Sequence, residues 1–404
     1  MSTTSQQQPT VDDVEFRALY KKTKYIVETA DGWSLVVTRY KPTQQKFPQP
    51  LYGEPMLLVH GFSQNRHAWT SGEFVKNLLF FGLDIHILEL RGHGKSSIEF
   101  QHERAKRFGR HVPADLNWDW DIDSYFLYDM PAAVAGVKRI TRRDRVYFCG
   151  HSMGGILGYG YAGIHDDFEG LVTIGAPADL GRAALPVRLL AMAGPGIGVA
   201  VDASLGTLNA QRGIAHRTAG LFRKAASLKP RQLAYRYVPL DTWLKLIAET
   251  LDRAEHSPLL GTLAGQVNWI ARQDRMAAGD LRWLLRQAGE KEPRKVVDQF
   301  FRWIRNNEMI CYRTGYDFKR GFSKIKIPMA IVFGDRDPLA SIDSTRSVYR
   351  GAKSDYLLWR PVKGNSHIEL TMGHDIRQIC YDIKNLVEYA RTHKGRGPTL
   401  PRIR

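Results

Sequence analysis

Polar and apolar positions alternate along the first part of the chain and then gather into solid apolar runs. Tyr25-Ile26-Val27-Glu28-Thr29 and Ser34-Leu35-Val36-Val37-Thr38-Arg39-Tyr40 flank Asp31-Gly32. Strand-like runs on either side of an Asp-Gly pair predict an antiparallel hairpin. Further on, the runs become short and continuous: Met56-Leu57-Leu58-Val59-His60, then 84–90, 146–149, 171–174, 328–333 and 355–359. A run without polar interruption suits a strand covered on both faces, as in a parallel sheet. Stretches at 73–80, 125–140, 344–349 and 376–392 lie between these runs and are expected to be helices. Two antiparallel strands followed by strands separated largely by helices predict an α/β fold. The expected architecture is a doubly wound, mostly parallel sheet of about eight strands.

One connection breaks this rhythm. From Pro177 to Pro328 the chain runs about 150 residues, far beyond an ordinary loop. Apolar residues recur at spacings of three and four over 180–192, 217–226, 241–253, 279–287 and 295–306, which predicts an inserted helical subdomain. The expected organisation is a polar N-terminal arm at 1–22, a core formed by 23–178 and 321–392, a helical cap or lid at 179–320, and a basic tail at 393–404. Trp243, Trp269, Trp283 and Trp303 lie in the insertion. They suit either plain core packing or a lid over an apolar substrate pocket.

Composition changes this picture little, and charge changes it more. The chain has 404 residues, 43% of them hydrophobic and 25% charged, which is ordinary for a globular protein. Its net charge of +17 points to nucleic acid, an anionic membrane surface, acidic substrates or general surface basicity. Neither zinc spacing, an RNA-binding aromatic signature nor a recognition-helix pattern is present, so nucleic acid is not the expected partner. Cys149, Cys311 and Cys380 are too few and too scattered for a disulfide framework or a metal cluster. The first ten residues lack the basic-then-apolar layout of a secretory signal, and no run of about 18 apolar residues could span a bilayer. The expected location is cytoplasmic, with peripheral contact to an anionic membrane left open. No metal or cofactor is expected.

The candidate chemistry begins at Gly150-His151-Ser152-Met153-Gly154-Gly155, directly after the apolar run Val146-Tyr147-Phe148-Cys149. A G-x-S-x-G pattern at a strand end describes a sharp strand-to-helix turn that holds a serine hydroxyl outward. Ser152 is the candidate nucleophile. A serine hydroxyl is weakly nucleophilic at neutral pH and needs a histidine base, itself oriented by a carboxylate. In open α/β sheets these partners sit in loops beyond the carboxyl ends of strands. Phe333-Gly334-Asp335-Arg336-Asp337-Pro338 offers two carboxylates. Asp335 suits the satisfaction of backbone amides, whereas Asp337, before a proline, is better placed to project into a site. Asp179 is a third choice. His367 lies in the polar loop after the last strand. His374, beside Asp375, suits a cap or a surface pair. Ser152, Asp337 and His367 also follow the chain order Ser-Asp-His. Developing oxyanion charge needs two backbone amides, expected from Met153 and from Phe62 in His60-Gly61-Phe62-Ser63. His60 and Gly61 are expected to shape that turn.

Together these residues resemble the α/β-hydrolase fold superfamily. The matching motifs are His60-Gly61-Phe62, Arg91-Gly92-His93-Gly94-Lys95-Ser96, the elbow at 150–155, Gly334-Asp335-Arg336-Asp337 and Asn365-Ser366-His367. The resemblance covers residues 24–178 and 321–392 and implies Asp337 as the acid. The insertion falls where that family carries its cap. Two departures stand out: Asn365-Ser366 precedes His367 where many members place a glycine, and the cap is longer than usual. The resemblance implies a serine hydrolase of acyl esters with an apolar or lipid-like part. An acyltransferase or thioesterase with the same triad, and a non-catalytic ligand-binding member, are the alternatives. Dehalogenases and epoxide hydrolases of this fold use an aspartate at the elbow, where this chain has Ser152.

Overall fold

The computed structural model describes residues 9–189, 191–192, 236–254, 267–277 and 279–393. The first residues of the expected arm, the helix expected at 217–226 and nearly all of the basic tail lie outside them.

Eight strands form one sheet: β1 (Tyr20–Glu28), β2 (Ser34–Pro42), β3 (Pro55–Val59), β4 (Asp84–Leu88), β5 (Val146–His151), β6 (Phe168–Ile174), β7 (Met329–Gly334) and β8 (Leu357–Val362). Their order is β1-β2-β4-β3-β5-β6-β7-β8. The pairs β1·β2 and β2·β4 are antiparallel, and the remaining pairs are parallel. This is the doubly wound sheet that the sequence predicts. Every residue of β3, β4, β5 and β7 is buried, which explains their unbroken apolar runs.

The main helices are α1 (Phe74–Phe80), α2 (Met130–Thr141), α3 (Met153–Ala162), α4 (Leu240–Ala254), α5 (Asp280–Gln287), α6 (Arg294–Asn306), α7 (Ile342–Gly351) and α8 (Ile376–Thr392). Successive strand residues point to opposite faces, so each strand feeds two cores. Leu57, Val59 and Phe148 pack with α2, α3 and α7 through Val134, Ile156 and Val348. Met56, Leu58 and Cys149 pack with α1 and α8 through Leu78, Ile379 and Ile383.

Two elements depart from expectation. Strand β1 begins at Tyr20 rather than Tyr25, because Tyr20, Lys21 and Lys22 pair with Pro42, Lys41 and Tyr40. The expected arm at 1–22 is therefore strand in its last residues. Lysines along an outer strand hide it from a hydrophobicity pattern, and they also discourage edge-to-edge association. The helix expected over 180–192 is broken. A tight turn at Leu180–Arg182 precedes a separate helical stretch at 185–189. Pro186 has no amide proton to extend a helix from Leu180, but it suits a first turn.

Between β6 and β7 the described insertion is helical, with α4 packed on α5. Tyr237–Val238 also pairs antiparallel with Glu292–Pro293. Among the described residues no helix is long and apolar enough to cross a membrane.

Candidate active site

Strand β5 ends at His151 and helix α3 begins at Met153, leaving Ser152 alone at the turn with φ 51° and ψ −118°. Positive φ in a residue with a Cβ is strained and must be held by its surroundings. The holding is visible on both sides. The Ser152 amide donates to the Ile174 carbonyl at 2.9 Å. A Cβ on Gly150 would overlap the Gly154 backbone, and one on Gly154 would overlap the carbonyls of Val59 and His60. Only glycines at these positions let α3 start hard against the end of β3.

His367 and Asp337 come from the loops after β8 and β7. His367 Nε2 lies 3.0 Å from Ser152 Oγ, and His367 Nδ1 lies 2.7 Å from Asp337 Oδ2. Asp337 and His367 are each only 3% exposed. The other Asp337 oxygen accepts the Leu339 and Ala340 amides at 2.8 and 2.9 Å, so one oxygen remains for the imidazole. Burial would lower the His367 pKa, but the Asp337 carboxylate outweighs it and holds the pKa above its ordinary value. With the Nδ1 proton directed at Asp337, Nε2 is free to accept the Ser152 hydroxyl proton.

The competing residues go elsewhere. Asp335 is exposed and accepts the Gly364 amide at 2.7 Å. Asp179 pairs with Arg182 at 3.1 Å and Lys319 at 3.2 Å. His374 is exposed. Its neighbour Asp375 reaches Arg275 at 2.6 Å and the Asn365 side-chain amide at 2.7 Å.

The loop after β3 runs against the elbow: a Cβ on Gly61 would stand 2.9 Å from Ser152 Cβ. His60 shapes this turn as expected, since its Nδ1 faces the Gly61 carbonyl at 2.9 Å and its Nε2 accepts the Leu90 amide at 3.2 Å. The Gly61 amide donates to Gln64 Oε1 at 2.9 Å. Phe62 and Met153 therefore belong to the two backbone segments that flank the serine.

Several polar residues here were not anticipated from sequence. His151 Nδ1 lies 3.0 Å from Gln64 Oε1, and its ring packs 4.9 Å from that of His367. Burial, followed by the neighbouring His367, lowers its pKa to about 3, so His151 is neutral. Buried Glu292 comes from the insertion, and its Oε1 accepts the Ser63 amide at 2.5 Å and faces His93 Nε2 at 3.1 Å. Beside it, Ser63 Oγ donates to the Glu290 carbonyl at 2.6 Å, and Asn65 donates to Glu290 Oε1 at 2.6 Å. The histidine loop is tied to the insertion as well. The amides of His367 and Ile368 donate to the Ile270 carbonyl at 3.2 and 3.1 Å, and Ser366 Oγ donates to the Trp269 carbonyl at 2.7 Å. In the sequence, Gly289-Glu290-Lys291-Glu292-Pro293 resembles a solvated charge run, so nothing there signals a buried carboxylate.

A cavity of about 550 Å³ opens over Ser152 and His367. Its outer wall is aliphatic, with Leu240, Leu244 and Ile247 from α4 and Leu281, Leu284 and Leu285 from α5. None of the four tryptophans of the insertion lines it. Trp303 is fully buried in the core, whereas Trp269 and Trp283 are exposed. Among the described residues, no three His, Cys, Asp or Glu side chains are grouped as a metal site needs.

A model of the alpha/beta hydrolase fold family matches residues 54–367. A protein of Schizosaccharomyces pombe named as a probable lipase is 26% identical over 171 residues, covering 40% of this chain and 35% of that protein. Human lysosomal acid lipase/cholesteryl ester hydrolase is 28% identical over 144 residues, 34% of this chain and 33% of that protein. The matched stretch thus spans about a third of these relatives. Among solved structures, DcsB in complex with its substrate analogue superposes with a TM-score of 0.52 at 10% identity, covering 92% of this chain and 100% of that one. At that identity the likeness is one of fold.

Proposed function

The chain belongs to the alpha/beta hydrolase fold family, and we propose that it is a serine hydrolase of carboxylic esters with an apolar acyl part. The observation that carries this reading is the continuous hydrogen-bonded line Ser152–His367–Asp337, whose serine end opens into an aliphatic cavity. The names of the relatives, a lipase and a cholesteryl ester hydrolase, support the same reaction class.

In this reading the Ser152 hydroxyl proton passes to His367 Nε2 as Oγ bonds the ester carbonyl carbon. Asp337 keeps the imidazole oriented and stabilises its charged form. The carbonyl oxygen becomes an oxyanion and takes hydrogen bonds from the amides of Phe62 and Met153, the latter at the electropositive start of α3. The carbon–oxygen bond to the alcohol then breaks, and His367 returns its proton to the departing oxygen. Water repeats the sequence on the acyl-enzyme. His367 takes a proton from the water, the carboxylic acid leaves, and Ser152 recovers its hydroxyl. The apolar walls supplied by α4 and α5 suit an aliphatic acyl chain.

The test is turnover of p-nitrophenyl esters by Ser152→Ala, with folding followed by circular dichroism. The expected loss is on the order of ten-thousand-fold or more. A folded variant that still hydrolyses these esters overturns the proposal.

A further inference from the structure

We infer that Glu292, contributed by the insertion, is a positioning residue for the proposed oxyanion hole: it fixes the backbone at Ser63 and thereby aims the Phe62 amide at the developing charge. The inference rests on the proposed function, because it takes Phe62 as a donor.

The geometry begins with strain. Ser63 has φ +55°, a conformation that residues with a Cβ adopt only when held. Three contacts hold Ser63 itself, and a fourth holds the chain before it. Its amide donates to Glu292 Oε1 at 2.5 Å, its hydroxyl donates to the Glu290 carbonyl at 2.6 Å, its carbonyl accepts the Glu290 amide at 3.1 Å, and the Gly61 amide two residues earlier is fixed by Gln64 Oε1 at 2.9 Å. The amides on either side of Phe62 are therefore both occupied by carboxylate or carboxamide oxygens. The peptide that carries the Phe62 N–H is pinned between them.

Glu292 is itself over-determined. It is fully buried, and its Oε2 accepts the Tyr125 hydroxyl at 3.3 Å while its Oε1 faces His93 Nε2 at 3.1 Å. His93 Nδ1 faces the Arg91 carbonyl at 2.9 Å, an acceptor only, so that nitrogen carries a proton. Facing a carboxylate, Nε2 carries the other proton. The buried imidazolium thus sets where the carboxylate sits, and the carboxylate sets where the Ser63 peptide sits. Oxyanion donors act only when they are aimed at the transition-state oxygen, and small displacements lose much of their effect.

The experiment compares Glu292→Ala, Glu292→Gln and the double variant Glu292→Ala/His93→Ala, which removes the unpaired buried imidazolium that would threaten folding. Turnover is measured per active site titrated with a fluorophosphonate, alongside KM and the inhibition constant of an aliphatic trifluoromethyl ketone, a transition-state mimic. Glu292→Ala and the double variant should lose about ten- to a hundredfold in kcat, with KM within about twofold. Ketone affinity should fall in parallel with kcat. Glu292→Gln keeps an oxygen for the Ser63 amide and should stay within about fivefold of the parent protein. A kcat per titrated site near the parent value in either alanine variant overturns the inference. So does a Glu292→Gln loss of about tenfold or more relative to the parent protein, which decides the matter even if the alanine variants do not fold. Absence of fluorophosphonate labelling or ester turnover in the parent protein counts instead against the proposed function.

Discussion

Asp337 Oδ2 stands 2.7 Å from His367 Nδ1, in a place where both side chains are buried. The carboxylate more than offsets the burial that would otherwise push the imidazole toward its neutral form. A general base must be neutral, so kcat/KM should fall as pH drops through a His367 pKa that lies above its ordinary value of 6.5. Asp337→Asn removes the larger raising influence and leaves burial opposed only by the weaker pull of the Glu369 carboxylate. It should shift that limb to lower pH and reduce kcat by about ten-thousand-fold. A pH–rate profile of the two proteins checks both effects.

Asp335 sits two residues away but caps the Gly364 amide at 2.7 Å from an exposed position. Asp335→Asn retains an acceptor there and should leave kcat within about threefold of the parent, the range expected of a surface change. Measured beside Asp337→Asn, it separates the two carboxylates by function.

The aliphatic wall predicts chain-length selection. Leu244 of α4 lines the cavity in contact range of Gly289. Leu244→Trp should shorten the space for an acyl chain. The value of kcat/KM for a p-nitrophenyl octanoate is expected to drop about tenfold or more, the scale of a few lost methylene contacts, while acetate changes little. A series of esters of increasing chain length reads this directly.

The His93–Glu292 pair predicts a stability profile. Burial lowers the His93 pKa, but the carboxylates of Glu292 and Glu290 prevail and raise it to about 9. A raised histidine pKa stabilises the fold fully below the unfolded value near 6.5, and the contribution is lost as pH rises through about 9. Over that window the loss should be on the order of 2–3 kcal/mol. Urea unfolding at pH 6.5, 8 and 9.5 should show this decline in the parent and a flatter dependence in His93→Gln.

Much of this arrangement was legible in sequence because its signals are local. Unbroken apolar runs mark strands buried on both faces, and the elbow glycines announce a turn too tight for any Cβ at 150 or 154. Ser152, Asp337 and His367 could be chosen because the fold places functional loops after strand ends, and each stands in such a loop. Residues that act across the insertion were not legible. Glu292 meets Ser63 from 229 residues away, and its neighbours Glu290 and Lys291 make it look like exposed charge. Gln64 and His151 meet across 87 residues and carry no spacing signature. The start of β1 was masked by lysines on an outer strand, and the helix expected over 180–192 was interrupted at 183–184, just before Pro186 opens a separate helical stretch. Periodicity reports which face of an element is buried. It does not report which loop a distant carboxylate will reach.

Site-mapped covalent labelling decides whether Ser152 is the group that attacks the ester carbonyl. Incubation with a fluorophosphonate, followed by peptide mass spectrometry, should find one adduct per chain on Ser152, with ester turnover lost in proportion to labelling. Unlabelled Ser152 in a protein that nonetheless hydrolyses esters, or labelling elsewhere that abolishes turnover, would contradict that role.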